Sequence, residues 1–296
     1  MDNHHCLLAD LHMHSTASDG RLTPSELMER AAAAGLKAVA LTDHDTTAGI
    51  DEARETAEKL GMAFLPGIEI STGKGGDIHV LGYGIDPQNE ELNAFCAQMK
   101  QDRIERIPKM MQKLADIGMP LDPERVMALA KGSVGRPHVA RAMVETGYVN
   151  DPQEAFARYL GSGMPAYVPR TEVATEEAVR LILKAGGVPV LAHPGDYPDE
   201  AKRILEVNEK QGWGLKGIEV YYPHHLENAF EPWLTIACEK ALLVTSGSDF
   251  HFDGDGHHAA VGEMTRYWKT AEEDTALLMQ AVRNNFTQGA ENASTR

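Results

Sequence analysis

The stretch LLADLHMHSTASDG, residues 7–20, ends an apolar run in two histidines, His12 and His14, and follows them with Asp19 in a short polar loop. Side chains alternate across a strand, so His12 and His14 share a face if the strand continues to residue 14. Asp249 and His251 in SDFH have the same parity. Other apolar runs end in the same residue types: LTDHD carries His44, GIEIS carries Glu69 and LAHPG carries His193. Mixed imidazole and carboxylate donors suit manganese, iron or zinc better than magnesium or calcium. Each motif alone has an ordinary explanation. The acids of TDHD could cap a helix, and AHP could be a turn. Recurrence at several strand ends points instead to a polynuclear metal site. His79 fits less well, because it opens the run IHVLGYGI. Either that strand runs against the others, or His79 reaches the site from a loop. Glu219 in GIEVYY resembles Glu69 locally and is expected to be an ordinary strand residue facing solvent.

The elements that must position these residues alternate along the chain. CLLADLHM precedes TPSELMERAAAAGL, where Thr23, Pro24 and Glu26 supply a cap, a first-turn proline and a capping-box acid, and Gly35 a stop. KAVALT, AFLPGIEIS, IHVLGYGI, VPVLAHPG, GIEVYY and LLVTSGSDFH read as further strands, with helical patterns between most of them. Repeated βα units predict a mainly parallel sheet with helices outside. Seven strands favour barrel closure, although the residues alone also admit a doubly wound sheet. Residues 90–165 lack strong strands and read as a helical insertion capping the site; residues 1–89 and 166–296 form the barrel. The tail TQGAENASTR is polar and is expected to be disordered.

The 296 residues carry 28 basic and 44 acidic side chains, a net charge of −16. Such a surface excludes a broad grip on long nucleic acid. An anionic substrate would need local positive charge, which bound cations can provide. No run suits a membrane span, and the N-terminus does not read as a signal peptide. Cys6, Cys96 and Cys238 are scattered and odd in number, which fits free thiols in a cytoplasmic, reducing setting.

The ordered motifs DLHMHSTASDG, ALTDHDT, PGIEIS, HVLGYGI, VLAHPG and SGSDFH resemble those of the PHP (polymerase and histidinol phosphatase) family. GRPHVARAMVETG and AYVPRTEVATEEAV are similar to segments of its bacterial nucleoside 3′,5′-bisphosphate phosphatase and RNase AM type. The resemblance implies a distorted (β/α)7 barrel holding three divalent cations, manganese first, with iron or zinc as alternatives. It implies that His12, His14 and Asp249 hold the first ion, that Glu69 bridges the first and second, that His79 and His193 complete the second, and that Asp19, His44 and His251 hold the third. Two ions sharing Glu69 would hold a hydroxide. Three carboxylates and three divalent ions leave the site at +3, enough to steer anions to it.

Arg136 in GSVGRPHVAR opens a helix, with Pro137 at its expected first position and His138 next. A helix N-terminus and a guanidinium fork both suit phosphate, so Arg136 and His138 are expected to bind substrate, with Arg170 of YVPR as a second clamp. Lys131 and Ser133 are weaker candidates. His224 or His225 in YYPHH is the expected acid for the leaving oxygen. This layout suits a ligand with two phosphates. The expected reaction is removal of the 3′-phosphate from a nucleoside 3′,5′-bisphosphate, for example pAp to AMP. A short 5′-phosphorylated oligonucleotide could be trimmed from its 5′ end by the same chemistry. The alternatives are a phosphatase of histidinol phosphate or another small alcohol phosphate, and a metal-dependent C–N hydrolase.

Overall fold

Seven strands pair in chain order. They are β1 (Ala9–Asp10), β2 (Ala38–Leu41), β3 (Ala63–Thr72), β4 (Ile78–Tyr83), β5 (Val188–Leu191), β6 (Gly217–Tyr221) and β7 (Leu243–Ser246). The computed structural model describes residues 8–130, 134–228, 230–254, 259–264 and 275–283. Cys6, Lys131, Ser133 and the tail from residue 284 lie outside that set.

Strands β1 to β3 are parallel, β4 is antiparallel to both its neighbours, and β5 to β7 are parallel again. At the seam Leu11 N–H donates to Ser246 O at 3.2 Å, and Met13 bridges to Phe250. The sheet thereby nearly closes, giving a distorted seven-stranded α/β barrel and not an open doubly wound sheet. The reversed strand is the distortion. Only Gly73–Asp77 separate β3 from β4, and Gly73, Gly75 and Gly76 all take positive φ. That link is a hairpin turn, far shorter than a parallel crossover requires. Reversal puts the first residues of β4, including His79, beside the C-terminal ends of the other strands.

Among the described residues β1 ends at Asp10, whose side chain bonds beyond the ladder. The buried Asp10 carboxylate accepts from Ser248 N at 3.0 Å and Gly262 N at 2.9 Å. Those bonds tie the chain after β1 to the loop after β7. Burial pushes the Asp10 carboxyl up, against four hydrogen bonds that favour its ion.

The helices are α1 (Pro24–Ala33), α2 (Ile50–Lys59), α3 (Glu90–Asp116), α4 (Pro123–Leu129), α5 (Arg136–Glu145), α6 (Pro152–Ala155), α7 (Thr175–Lys184), α8 (Pro198–Gln211), α9 (Pro223–Asn228) and α10 (Glu231–Glu239). The capping box of α1 forms, with Thr23 Oγ1 accepting from Glu26 N and Glu26 Oε2 from Thr23 N. Gly35 then ends the helix at φ +83°. The central apolar cluster joins the strands to α7, α8 and α10, and a smaller one seats α1 and α2 on β2. A third cluster lies within residues 107–168 and includes Met110, Leu114, Val126, Val139, Met143 and Leu160. Helix α3 belongs to two of them: Leu92 and Met99 pack on the barrel, while Ile107, Met110 and Leu114 pack among the later helices. Helix α3, with Pro108 in its interior, thus connects the barrel's cluster to that of the later helices.

Candidate metal centre

Glu69 lies on β3, fully buried, with five imidazoles around its two oxygens. His44 Nδ1 and His79 Nδ1 are each 2.9 Å away, His14 Nε2 and His193 Nε2 3.2 Å, and His12 Nε2 3.4 Å. Asp249 Oδ1 stands 3.2 Å from His12 Nε2 and 3.0 Å from His14 Nε2. Asp19 Oδ1 is 3.3 Å from His251 Nε2, and its Oδ2 is 4.0 Å from His44 Nε2. His44 thus offers one ring nitrogen to Glu69 and the other to Asp19.

His193 Nε2 bonds to Glu69 Oε1 at 3.2 Å and to His79 Nδ1 at 3.0 Å, but most of the other converging atoms do not bond to one another. His12 Nε2, both nitrogens of His14, His44 Nδ1, Glu69 Oε2 and Asp19 Oδ1 are buried and make no hydrogen bond. Leaving a buried polar atom unsatisfied costs about 1–3 kcal/mol, so such a concentration calls for a partner. Donors bound at ~2.1 Å to one ion stand roughly 3.0–3.4 Å apart, the spacing seen here. Among the described residues three groups can hold an ion: His12, His14, Glu69 and Asp249; His14, Asp19, His44 and His251; and His44, Glu69 and His79. The residues therefore fit divalent cations. Burial opposes charge on His251, yet Asp19 lifts it to about 10. Burial likewise pushes the Glu69 carboxyl up, but His44, His79 and His12 hold it well below the usual range. Metal binding must displace such protons.

Above this floor lies a cavity of about 470 Å³ whose wall includes Arg103, Arg106, Arg136 and Arg170. Burial lowers Arg106 to about 10, and the charge of Arg136 adds to the effect. With four guanidiniums in its lining, the cavity is suited to an anion.

The PHP domain family model matches residues 10–227. The chain belongs to the PHP family. It is 38% identical over 252 residues to the 3′,5′-nucleoside bisphosphate phosphatase of Chromobacterium violaceum, covering 83% of this chain and 88% of that protein. It is also 38% identical to a 5′-3′ exoribonuclease of Haemophilus influenzae, covering 82% of this chain and 89% of that one. A solved structure of an amidohydrolase from Chromobacterium violaceum, with bound sulfate and no metal, superposes with a TM-score of 0.78 at 36% identity, covering 87% and 93% of the two chains. Fold, clustered donors and relatives together make this PHP protein a metal-dependent phosphoester hydrolase.

Around the PHP centre the structure adds residues that sequence reasoning missed. Glu219 does not face solvent; it is fully buried on β6. Its carboxylate meets His12 Nδ1 at 3.0 Å and accepts from His193 N at 2.9 Å. The first contact turns His12 Nε2 toward Glu69; the second holds the backbone of His193, whose φ is +23°. The signal was available, since an acid within a strand buried on both faces needs a partner. Glu219→Gln is expected to weaken divalent-metal binding about 10–100-fold, as read by isothermal titration calorimetry. Unchanged affinity would remove its positioning role.

Asp43 and Asp45 are not helix caps. Asp43 accepts from Ser15 N, Ser15 Oγ and Ser18 Oγ, which fixes the loop that carries Asp19. Asp45, at φ +52°, accepts from Arg103 at 2.5 Å and Arg170 at 3.1 Å. Burial raises this carboxyl, but Arg170 and Arg103 outweigh it and hold it at about 2. Arg170 therefore lines the cavity already anchored. Arg103 and Arg106, on α3, are not among the residues singled out from the sequence; their spacing of three residues was the signal of a shared helix face.

Arg136 lines the cavity as the first residue of α5, one position ahead of the expected start at Pro137. Its guanidinium is 3.9 Å from Asp77. His138 turns back instead, its Nδ1 accepting from Gly135 N at 3.1 Å. Of the two candidate acids, His225 has both nitrogens engaged: Nδ1 with Val220 O at 2.8 Å and Nε2 with Gly195 N at 2.8 Å. His224 lines the cavity, with Nδ1 3.1 Å from Asp196 Oδ1. Among the described residues no helix is long and apolar enough to cross a membrane.

Proposed function

We propose that this protein removes the 3′-phosphate from nucleoside 3′,5′-bisphosphates, and that the same centre trims short 5′-phosphorylated oligonucleotides from the 5′ end. The observation that carries the reading is a single cavity with a cation-binding floor and an arginine wall. A ligand with two phosphates uses both. The names of the phosphatase and exoribonuclease relatives support the same substrate class.

In this reading the nine residues His12, His14, Asp19, His44, Glu69, His79, His193, Asp249 and His251 hold three divalent ions, with manganese the first choice. Bound divalent ions supply Lewis acidity and lower the pKa of water toward ~7. Arg136 takes the 5′-phosphate on its planar fork, helped by the N-terminus of α5. Arg170 stays on Asp45 and lends its charge to the same wall. Water oxygen bonds to phosphorus, the P–O3′ bond breaks, and its electron pair leaves on O3′. His224 delivers the proton that O3′ requires. His224 lines the cavity, with Nδ1 3.1 Å from Asp196 Oδ1. The protein is assigned to the cytoplasm, where such nucleotides occur as free solutes.

The deciding experiment measures hydrolysis by the manganese-loaded protein, as phosphate release from esters and as C–N cleavage for amides and lactams. It compares a nucleoside 3′,5′-bisphosphate, histidinol phosphate, simple alcohol phosphates and a panel of amides and lactams. The reading requires the bisphosphate to have the highest kcat/KM. Preference for an alcohol phosphate, or turnover of amides alone, would replace it. Arg136→Ala is expected to raise KM for the bisphosphate about 10–100-fold, the worth of one charged hydrogen-bonded pair. The same variant should leave a nucleoside 3′-monophosphate within about twofold. Equal effects on both substrates would remove Arg136 from 5′-phosphate recognition.

A further inference from the structure

A second cavity, of about 460 Å³, lies on the other side of His44 and Arg103. It runs between the loop after β2 and the first half of α3. Thr46, Thr47, Asn93, Ala97 and Lys100 are among the residues lining it. His44 and Arg103 line both cavities, so these two residues, joined by a bond from Arg103 to His44 O at 3.3 Å, stand between the groove and the metal-binding floor. Its basic groups are Lys100 and Arg103. Its acid, Asp45, is already held by Arg103 and Arg170. In a chain of net charge −16, a groove with that balance, with Thr46 and Thr47 among otherwise largely apolar walls, is suited to a phosphodiester and its sugar.

A nucleoside bisphosphate leaves this groove unused, because both its phosphates fit the first cavity. An oligonucleotide does not. When water attacks the phosphorus after its first nucleotide, P–O3′ breaks and the first nucleotide leaves. The rest of the chain remains bonded to that phosphorus through O5′, so it must run away from the floor along a separate path. We propose that the groove between the β2 loop and α3 holds the second nucleotide of a 5′-phosphorylated oligonucleotide, with Lys100 on its following phosphate. This rests on the function proposed above and assigns the part of the protein that separates its exonuclease activity from its phosphatase activity.

The test uses Lys100→Glu and Ala97→Trp, one reversing a charge and the other filling the groove. Both positions are exposed on α3 and outside the catalytic and phosphate-binding machinery. Manganese-loaded variants are assayed on a nucleoside 3′,5′-bisphosphate and on 5′-phosphorylated di- and trinucleotides. Each variant is expected to lower kcat/KM for the trinucleotide about tenfold, as loss of a phosphate contact does, with bisphosphate hydrolysis within twofold. In Lys100→Glu the dinucleotide should be affected less, because it lacks the following phosphate. Trinucleotide kinetics unchanged in both variants, or equal losses on trinucleotide and bisphosphate, would each overturn the groove assignment alone, whereas a wild-type protein that cuts no oligonucleotide would overturn it together with the oligonucleotide part of the function proposed above. A wild-type protein inactive on the bisphosphate would instead overturn the reading on which it rests.

Discussion

Glu69→Gln is expected to lower kcat/KM for a nucleoside 3′,5′-bisphosphate by about 10³-fold or more, close to 4 kcal/mol of transition-state stabilisation. The size follows from geometry. Glu69 belongs to two of the three donor groups, so one substitution weakens two ion positions. Glutamine has nearly the same shape but only one acceptor oxygen, and its NH₂ would face imidazole nitrogens. The substitution should leave the fold intact, since Glu69 is paired along β3 by backbone bonds whatever its side chain. Kinetics measured together with metal content by elemental analysis check the prediction. Full activity with a full complement of metal would remove Glu69 from its role.

His224→Asn is expected to lower kcat on the bisphosphate about 100-fold, a typical contribution of a positioned acid. It should have little effect on p-nitrophenyl esters, whose leaving group needs no proton. The comparison across leaving groups is the measurement, because a merely structural residue would slow every substrate alike. His225→Asn supplies the contrast. That ring bonds Val220 O and Gly195 N and stacks on Trp233 at 6.0 Å. Its loss should lower the melting temperature without a leaving-group signature. Uniform slowing of all esters by His224→Asn would show that it does not deliver the proton.

The barrel and its helices were legible because the periods of strands and helices are written in apolar spacing, as in the capped helix from Pro24 to Ala33. The convergence of donors was legible for a related reason. Parallel strands share an end, so ligand types at each strand end must meet there. His79 escaped this logic because apolar alternation does not encode strand direction. The answer lay in the five residues Gly73–Asp77 before β4, whose number and glycine content permit a hairpin and forbid a crossover. Glu219 and Asp45 escaped because their roles depend on partners distant in sequence: Glu219 meets a histidine 207 residues away, and Asp45 an arginine 125 residues away. Arg103 and Arg106 escaped because a helix face is turned inward only by what packs against it.

Anomalous diffraction from manganese-loaded crystals tests the central claim most directly. The account predicts ordered ions beside Glu69, with donors drawn from His12, His14, His44, His79, His193 and Asp249, and a further ion among Asp19, His44 and His251. Saturating manganese with no ordered ion within bonding reach of Glu69 would contradict it.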